Sequence, residues 1–152
     1  MMFPDFSPSS NNDPPRDYTP PHVVGSNARG LFTRVLVVED EWLVAMDIEA
    51  VLKEEGFDVV GIATSADEAV RMAELHHPDL VLMDIRIRGP RDGIDAAIEL
   101  NRRFGTRSLF VSAHRDPATQ ERAQVANPLG WVSKPFSGQQ LIAAIAEATR
   151  QG

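Results

Sequence analysis

The chain has 152 residues, no cysteine, and 22 acidic against 15 basic side chains, which gives a net charge of −7. The length fits one domain with a single core, and the acidic balance argues against non-specific nucleic-acid binding, which depends on Lys and Arg contacting phosphates. No disulfide or thiolate zinc site can form, and no stretch approaches the roughly 20 apolar residues of a membrane span. We therefore expect a cytoplasmic protein that binds neither nucleic acid nor membrane.

Residues 1–30 differ in composition from the rest of the chain. They contain six of the 11 prolines and few aliphatic side chains. Such a segment buries too little apolar surface to offset its ordering entropy, so we predict a disordered, proline-rich tail followed by a folded domain over residues 31–152. A docking arm anchored by Phe3, Phe6 or Tyr18 is the alternative interpretation.

Strand and helix patterns alternate five times from Thr33 onward. Near-continuous apolar runs, typical of strands buried on both faces, predict strands over residues 34–38, 58–63, 79–83, 108–111 and 130–133. Helical spacing of apolar residues predicts helices over residues 42–55, 65–75 and 93–104, and from residues 116 and 137 onward. Five such units predict an α/β fold with a doubly wound parallel sheet and helices on both faces.

Capping motifs mark the start of three of these helices. Ser65 with Glu68, and Ser137 with Gln140, have the spacing of capping boxes. Asp116 is followed by proline, the residue favoured at the first helical position.

Four of the predicted strands end on polar side chains. Glu39 and Asp40 follow the first strand, Asp84 the third, Ser112 the fourth and Lys134 the fifth. In an open parallel sheet, ligands bind at the carboxyl ends of the strands. Taken singly, each residue has a simpler interpretation as a helix cap, a turn or a surface residue. Taken together, they predict one site at this edge of the sheet.

The chemistry of these side chains suits Mg²⁺ and a phosphoryl group. Glu39, Asp40 and Asp84 offer the carboxylate oxygens that Mg²⁺ prefers, and without a cation they would raise one another's pKa. Asp84 can act as a nucleophile, since carboxylates form acyl-phosphate intermediates. Lys134 supplies a second positive charge, and Ser112 can donate a hydrogen bond to a phosphoryl oxygen.

With these motifs in place, residues 33–151 resemble the receiver domain of a two-component response regulator. The matching segments are the acidic pair after the first strand, Leu82-Met83-Asp84, Asp92-Gly93, Ser112-Ala113 and Lys134-Pro135-Phe136. The resemblance implies a receiver domain over residues 31–152, with a flavodoxin-like, five-stranded parallel sheet of order 2-1-3-4-5 and five helices.

The resemblance also implies residue roles. Asp84 would accept a phosphoryl group from a phosphohistidine on a sensor histidine kinase or a histidine phosphotransfer protein. Asp40 would bind Mg²⁺ directly, Glu39 through water and Arg86 through its backbone carbonyl. The Lys134–Pro135 peptide is similar to one that is commonly cis in this family. Catalysis would be limited to the domain's own phosphorylation and dephosphorylation, so the protein would not be an enzyme in the usual sense.

The resemblance further implies a switch made of Ser112 and Trp131. Phosphorylation would draw the hydroxyl inward and let the aromatic side chain turn behind it. This would change a surface formed by helix 4, strand 5 and helix 5, which would bind a downstream protein or a second copy of the chain. A static cover on the sheet edge is the other interpretation of Trp131.

Several alternatives stay open at this point. Because no output domain follows the last helix, we expect a stand-alone response regulator, with a phosphorelay intermediate, a phosphate sink or a phosphorylation-independent adaptor as alternatives. A metal-dependent phosphatase acting on a separate substrate is a weaker one. Arg86, Arg88 and Arg91 form an unusual loop after Asp84, which either contacts an anionic donor or is solvated.

Overall fold

The computed structural model describes residues 34–151, so the predicted tail lies outside the described residues. A five-stranded parallel sheet has the order β2-β1-β3-β4-β5, as predicted. Its strands are β1 Arg34–Val38, β2 Asp58–Ala63, β3 Leu80–Met83, β4 Ser108–Ser112 and β5 Gly130–Ser133. The helices are α1 Trp42–Glu54, α2 Ala66–His76, α3 Gly93–Phe104, α4 Pro117–Ala123 and α5 Gly138–Gln151. The predicted fold class is confirmed.

The sheet separates two apolar layers. Alternate residues of a strand face opposite sides, so Val35 and Val37 of β1 pack into one layer, and Leu36 and Val38 into the other. The first layer, the α1–α5 layer, contains Ile48, Leu52, Leu141 and Ile145 from the two helices that name it. The second, the α2–α3–α4 layer, contains Ala69, Val70, Ile94, Leu100 and Ala123.

The element bounds differ from the predicted ones by one or two residues. β3 begins at Leu80 instead of residue 79, and β4 extends to Ser112. α4 has seven residues and passes into a 3₁₀ turn over Gln124–Ala126. That short helix follows from its sequence, which supplies few apolar side chains for packing against the sheet.

One predicted capping box is complete and the other is half formed. Ser137 and Gln140 exchange backbone and side-chain hydrogen bonds, as a full box requires. Ser65 Oγ accepts from the Glu68 amide, but the Glu68 carboxylate accepts from the amide and hydroxyl of Thr64. The prediction of a full box at Ser65 was therefore wrong, because Thr64 offers two donors where the box needs one.

A buried hydroxyl at the start of β4 suggests a stability test. Ser108 is 1% exposed, and its Oγ has no hydrogen-bond partner among the described residues. We expect Ser108→Ala to leave the free energy of unfolding unchanged or raise it by up to about 1 kcal/mol, since it removes an unsatisfied polar atom. Ser65→Ala is the matched comparison and is expected to cost about 1 kcal/mol, because it deletes a working helix cap. Urea denaturation measures both; a clear loss of stability in Ser108→Ala would contradict the expectation.

Candidate functional site

The carboxyl ends of β1, β3, β4 and β5 bring the predicted residues together. The amide of Glu39 donates to the Ala63 carbonyl at 2.8 Å, and the amide of Asp84 donates to the Val38 carbonyl at 3.0 Å. These parallel-sheet hydrogen bonds align the ends of neighbouring strands, so the acids that follow β1 and β3 lie side by side. Glu39 and Asp84 are 1% and 6% exposed, so both carboxyl groups are nearly removed from solvent.

Lys134 joins the two buried acids. Its Nζ donates to Glu39 Oε1 at 2.7 Å and to Asp84 Oδ2 at 3.0 Å. The peptide between Lys134 and Pro135 is cis, as the resemblance suggested. One ammonium group thus contacts carboxylates that lie 50 and 95 residues away along the chain.

Burial and charge shift the proton affinities of this group. Burial raises the pKa of Glu39; the Lys134 hydrogen bond opposes that rise, and the Asp84 charge adds to it. Burial alone would lower the pKa of Lys134, but its hydrogen bonds to Glu39 and Asp84 outweigh burial and raise it. Lys134 is therefore held as a cation, while Glu39 is costly to keep ionised with this single counter-charge.

The acids also form a group that can hold a metal ion. One ligand atom from each of Glu39, Asp40 and Asp84 lies within 4.8 Å of the others. Three carboxylate oxygens are a donor set that suits a hard divalent cation such as Mg²⁺. A second positive charge at this point would relieve the desolvation cost that raises the pKa of Glu39.

The backbone behind Asp84 is closely packed. The Asp84 Oδ1 accepts from the Ile85 amide at 2.7 Å, and the Gly93 amide donates to the Ile85 carbonyl at 2.7 Å. A Cβ atom added at Gly93 would lie 1.8 Å from the Asp84 carbonyl oxygen. The start of α3 therefore touches the main chain of Asp84, and only glycine fits there.

Ser112 lies on β4, and Trp131 lies on the neighbouring strand β5, where it is opposite Phe110. Ser112 is fully buried, and its Oγ accepts from the His114 amide at 3.1 Å. The half-buried Trp131 ring lies 4.8 Å from the Phe110 ring, centroid to centroid. The Arg115 guanidinium lies over the Trp131 ring, 5.8 Å from its centroid. Trp131 thus contacts the sheet through Phe110 and the loop that follows Ser112 through Arg115.

The arginine-rich loop after Asp84 divides into two parts. Arg91 donates to Glu99 at 2.6 Å and to Asp67 at 2.7 Å, so it forms ion pairs with both α3 and α2. Arg86 and Arg88 are exposed. The hypothesis that all three arginines face an anionic donor thus does not fit Arg91, which already contacts two acids.

The sequence interpretation did not include the contacts of Asp92 and Arg122. Asp92 caps α3 and forms a full capping box with Asp95. Arg122 of α4 donates both of its Nη groups to Asp92 at 2.8 Å and also reaches Asp95 at 3.0 Å. The Asp-x-x-Asp spacing before α3 was a local signal for the cap, but no local signal pointed to an arginine 30 residues away.

Comparison with known proteins gives a class that agrees with this geometry. The model of the response regulator receiver domain matches residues 35–146. The chain is 45% identical over 112 residues to the transcriptional regulatory protein PdtaR of Mycobacterium tuberculosis, covering 74% of this chain and 54% of that protein. It is 35% identical over 123 residues to the phyllosphere-induced regulator PhyR of Methylorubrum extorquens, covering 80% and 45%.

A solved structure shows the same fold. The signal receiver domain of a modulated diguanylate cyclase from Desulfovibrio desulfuricans G20 has a TM-score of 0.73 and 33% identity, covering 79% of this chain and 95% of that chain. The chain belongs to the response regulator receiver domain family of two-component signal transduction. The receiver domain family is a family of signalling domains and not of classical enzymes.

Two findings limit the conclusions that family membership allows for this chain. The chain spans about half the length of the curated relatives it matches. The predicted stand-alone arrangement therefore stays a prediction. Within residues 34–151, no helix combines the length and apolar character needed to cross a membrane.

Proposed function

We propose that Asp84 accepts a phosphoryl group from a phosphohistidine in a Mg²⁺-dependent reaction, and that this changes a protein-binding surface. The observation that supports the proposal most directly is Lys134 Nζ, which contacts Glu39 and Asp84 at 2.7 and 3.0 Å in a nearly solvent-free pocket. Such a cation beside a nucleophilic carboxylate is the arrangement that phosphoryl transfer requires.

In the proposed reaction, a carboxylate oxygen of Asp84 attacks the phosphorus atom. The phosphorus–nitrogen bond of the donor breaks, and the electron pair leaves with the imidazole, which takes up a proton. The product on Asp84 is an acyl phosphate. Lys134 neutralises charge on one phosphoryl oxygen, and the Ser112 hydroxyl donates to another once it leaves the His114 amide.

The metal would be held by Asp40 directly, by Glu39 through water, by Asp84 and by the backbone carbonyl of Arg86. Mg²⁺ bound there would neutralise charge on the transferred group and reduce repulsion among the acids. We also propose a cytoplasmic location, where kinases and Mg²⁺ would be available to the domain.

The surface beside the site supports a protein as the phosphodonor. At the start of α1, Trp42, Leu43 and Met46 are 64%, 79% and 38% exposed. Next to them an open groove of about 670 Å³ runs between α1 and the residues that follow Lys134; its lining includes Val44, Val51, Pro135 and Phe136. Exposed apolar side chains grouped around a concave surface mark a protein contact. A histidine kinase or histidine phosphotransfer protein would use it to reach Asp84.

The proposed response passes through Ser112 and Trp131. If Ser112 Oγ turns toward a phosphoryl group, its hydrogen bond from the His114 amide breaks and the loop carrying Arg115 shifts. Since Arg115 lies over the Trp131 ring, that shift alters the environment of the aromatic side chain. The surface of α4, β5 and α5 would then present a different face to a downstream protein. Dimerisation through this surface stays a prediction.

Intact-mass measurement with a small phosphodonor tests the proposed reaction. Incubation with acetyl phosphate and Mg²⁺ is expected to add one phosphoryl group to the wild type and none to Asp84→Asn, because the amide is not a nucleophile for this step. Chelation of Mg²⁺ is expected to abolish the adduct. Asp47→Asn, an exposed carboxylate on α1, is the matched control and should react normally.

Two outcomes would count against the reaction. An adduct of equal amount in Asp84→Asn would place the phosphoryl group elsewhere. No adduct in the wild type from acetyl phosphate or from a phosphohistidine donor would favour the phosphorylation-independent adaptor. A rapidly lost adduct would favour the relay or sink over a long-lived switch.

A further inference from the structure

Arg122 makes the most extensive polar contact between α4 and the rest of the described chain. Its two Nη groups donate to the two carboxylate oxygens of Asp92 at 2.8 Å each, and one of them also donates to Asp95. This paired geometry fixes the guanidinium in one orientation, which a single-point contact does not. Arg122 therefore fixes where α4 lies relative to the first turn of α3.

The Asp92 carboxylate is bound tightly on the α3 side as well. It accepts from the Asp95 amide at 3.0 Å, and the Asp95 side chain accepts from the Asp92 amide at 3.1 Å. Burial alone would raise the pKa of Asp92, but the hydrogen bonds from Arg122 and from the backbone outweigh it and lower the pKa. The ionised Asp92 carboxylate thus accepts hydrogen bonds from both α3 and α4.

From Asp92 a continuous path leads to the phosphoacceptor. Gly93 follows Asp92, and its amide donates to the Ile85 carbonyl at 2.7 Å. The Ile85 amide in turn donates to the Asp84 carboxylate at 2.7 Å. Gly93 is packed so closely against Asp84 that even a methyl group would collide with the Asp84 carbonyl. These contacts connect the Asp84 main chain directly to the residue that follows Asp92.

We propose that Arg122 is a positioning residue that couples the state of Asp84 to the order of α4 through Asp92. The proposal rests on the proposed function, because phosphorylation is the change of state that the contact transmits. α4 is suited to respond, since it has seven residues and one completely buried side chain, Ala123. Few apolar contacts oppose a change in its position or order.

A spatial path does not by itself establish coupling, so the test is a cycle that combines substitution of Arg122 with phosphorylation. Amide hydrogen exchange of a peptide covering residues 116–126 is measured in the full chain, with and without phosphorylation by acetyl phosphate and Mg²⁺. In the wild type, we expect phosphorylation to change this exchange by roughly fivefold or more. In Arg122→Gln, the adduct should still form. The logarithm of the phosphorylation-induced change in exchange rate should fall to less than about half of its wild-type value.

The matched control is Arg103→Gln. Arg103 is 46% exposed against 45% for Arg122, and it pairs with Glu99 of α3 and Glu74 of α2, away from α4. It should keep the full phosphorylation response of α4. Urea denaturation of each variant shows whether a difference in exchange reflects α4 alone or the whole domain.

The outcomes separate this inference from the proposed function. If Arg122→Gln responds to phosphorylation as the wild type does, or if wild-type α4 does not respond, the coupling is wrong while the phosphorylation stands. If the wild type takes up no phosphoryl group, the proposed reaction fails, and the coupling is judged on Asp84→Asn instead. Asp84→Asn removes a charge from the Lys134 contact, and its effect on the amide exchange of α4 should become smaller when it is combined with Arg122→Gln. Equal effects with and without the Arg122 side chain would overturn the coupling.

Discussion

Replacing Gly93 with alanine is expected to lower the free energy of unfolding by about 3 kcal/mol. The added Cβ atom would lie 1.8 Å from the Asp84 carbonyl oxygen and 2.9 Å from the Ile85 Cα atom. Both neighbours are backbone atoms, so neither can move away by a side-chain rotation. Either α3 or the end of β3 must shift, and the shift breaks the hydrogen bond from the Gly93 amide to Ile85.

The same substitution is expected to reduce phosphorylation of Asp84 by about a hundredfold, because a displacement near 1 Å at the nucleophile is enough for a loss of that size. Gly138→Ala provides the comparison. Its Cβ atom would meet Val51 Cγ2 at 3.2 Å, a side-chain atom that can yield. Urea denaturation and the acetyl phosphate assay measure both effects. Gly93→Ala with wild-type stability would show that the backbone behind Asp84 has room to move.

Replacing Lys134 with methionine is expected to slow phosphorylation of Asp84 by about a hundredfold or more, since one of the two positive centres at the phosphoryl group is lost. In the metal-free protein at neutral pH, it should also cost about 3 kcal/mol of stability, because two buried carboxylates lose their counter-charge. Methionine retains most of the aliphatic volume, so the charge is the main change. Lys53→Met is the control, because Lys53 is 61% exposed and pairs with Glu49 on the same helix.

The stability loss of Lys134→Met should depend on pH in a defined direction. Burial already raises the pKa of Glu39 above its ordinary value of 4.5, and the Lys134 hydrogen bond opposes this rise. Without Lys134 the pKa of Glu39 rises further. An acid whose pKa is higher in the folded state favours folding below its unfolded pKa, and that contribution disappears as the pH rises through the folded value.

The destabilisation should therefore be small near pH 4.5 and increase toward neutral pH. Mg²⁺ at millimolar concentration should reduce it at neutral pH by supplying the missing positive charge. Urea denaturation at several pH values, with and without Mg²⁺, measures both trends. A loss that is constant across this range would mean that packing of the lysine chain, and not its charge, supports the site.

Most of the fold and the location of the site could be predicted from local sequence patterns. Apolar runs of four to six residues located the strands, and the polar residues that ended four of these runs marked the edge where the site lies. A parallel sheet places all strand ends of one kind on the same side, so the residues after β1, β3, β4 and β5 had to converge. The contact of Lys134 with Glu39 and Asp84 follows from this geometry.

Some contacts could not be predicted, because no local sequence pattern around either residue indicates its partner. Arg122 and Asp92 lie 30 residues apart, and several arginines and acids would have been equally plausible partners. The sequence left Arg91 open between an anionic donor and solvent, whereas the structure pairs it with Asp67 and Glu99. Side-chain pairing on the surface depends on how helices are placed around the sheet, which local patterns do not determine.

The two apolar layers on opposite faces of the sheet have a consequence for how this domain tolerates substitution. Leu141 and Ile145 contribute to one layer, and Ile94 and Leu100 to the other, with the backbone of the sheet between them. Changes in free energy usually add when the altered residues share no partner. The changes in the free energy of unfolding caused by substitutions in the α1–α5 layer and in the α2–α3–α4 layer should thus add to each other. Substitutions within the same layer should instead influence one another. The core can accordingly be redesigned as two independent libraries, each screened by itself and then combined.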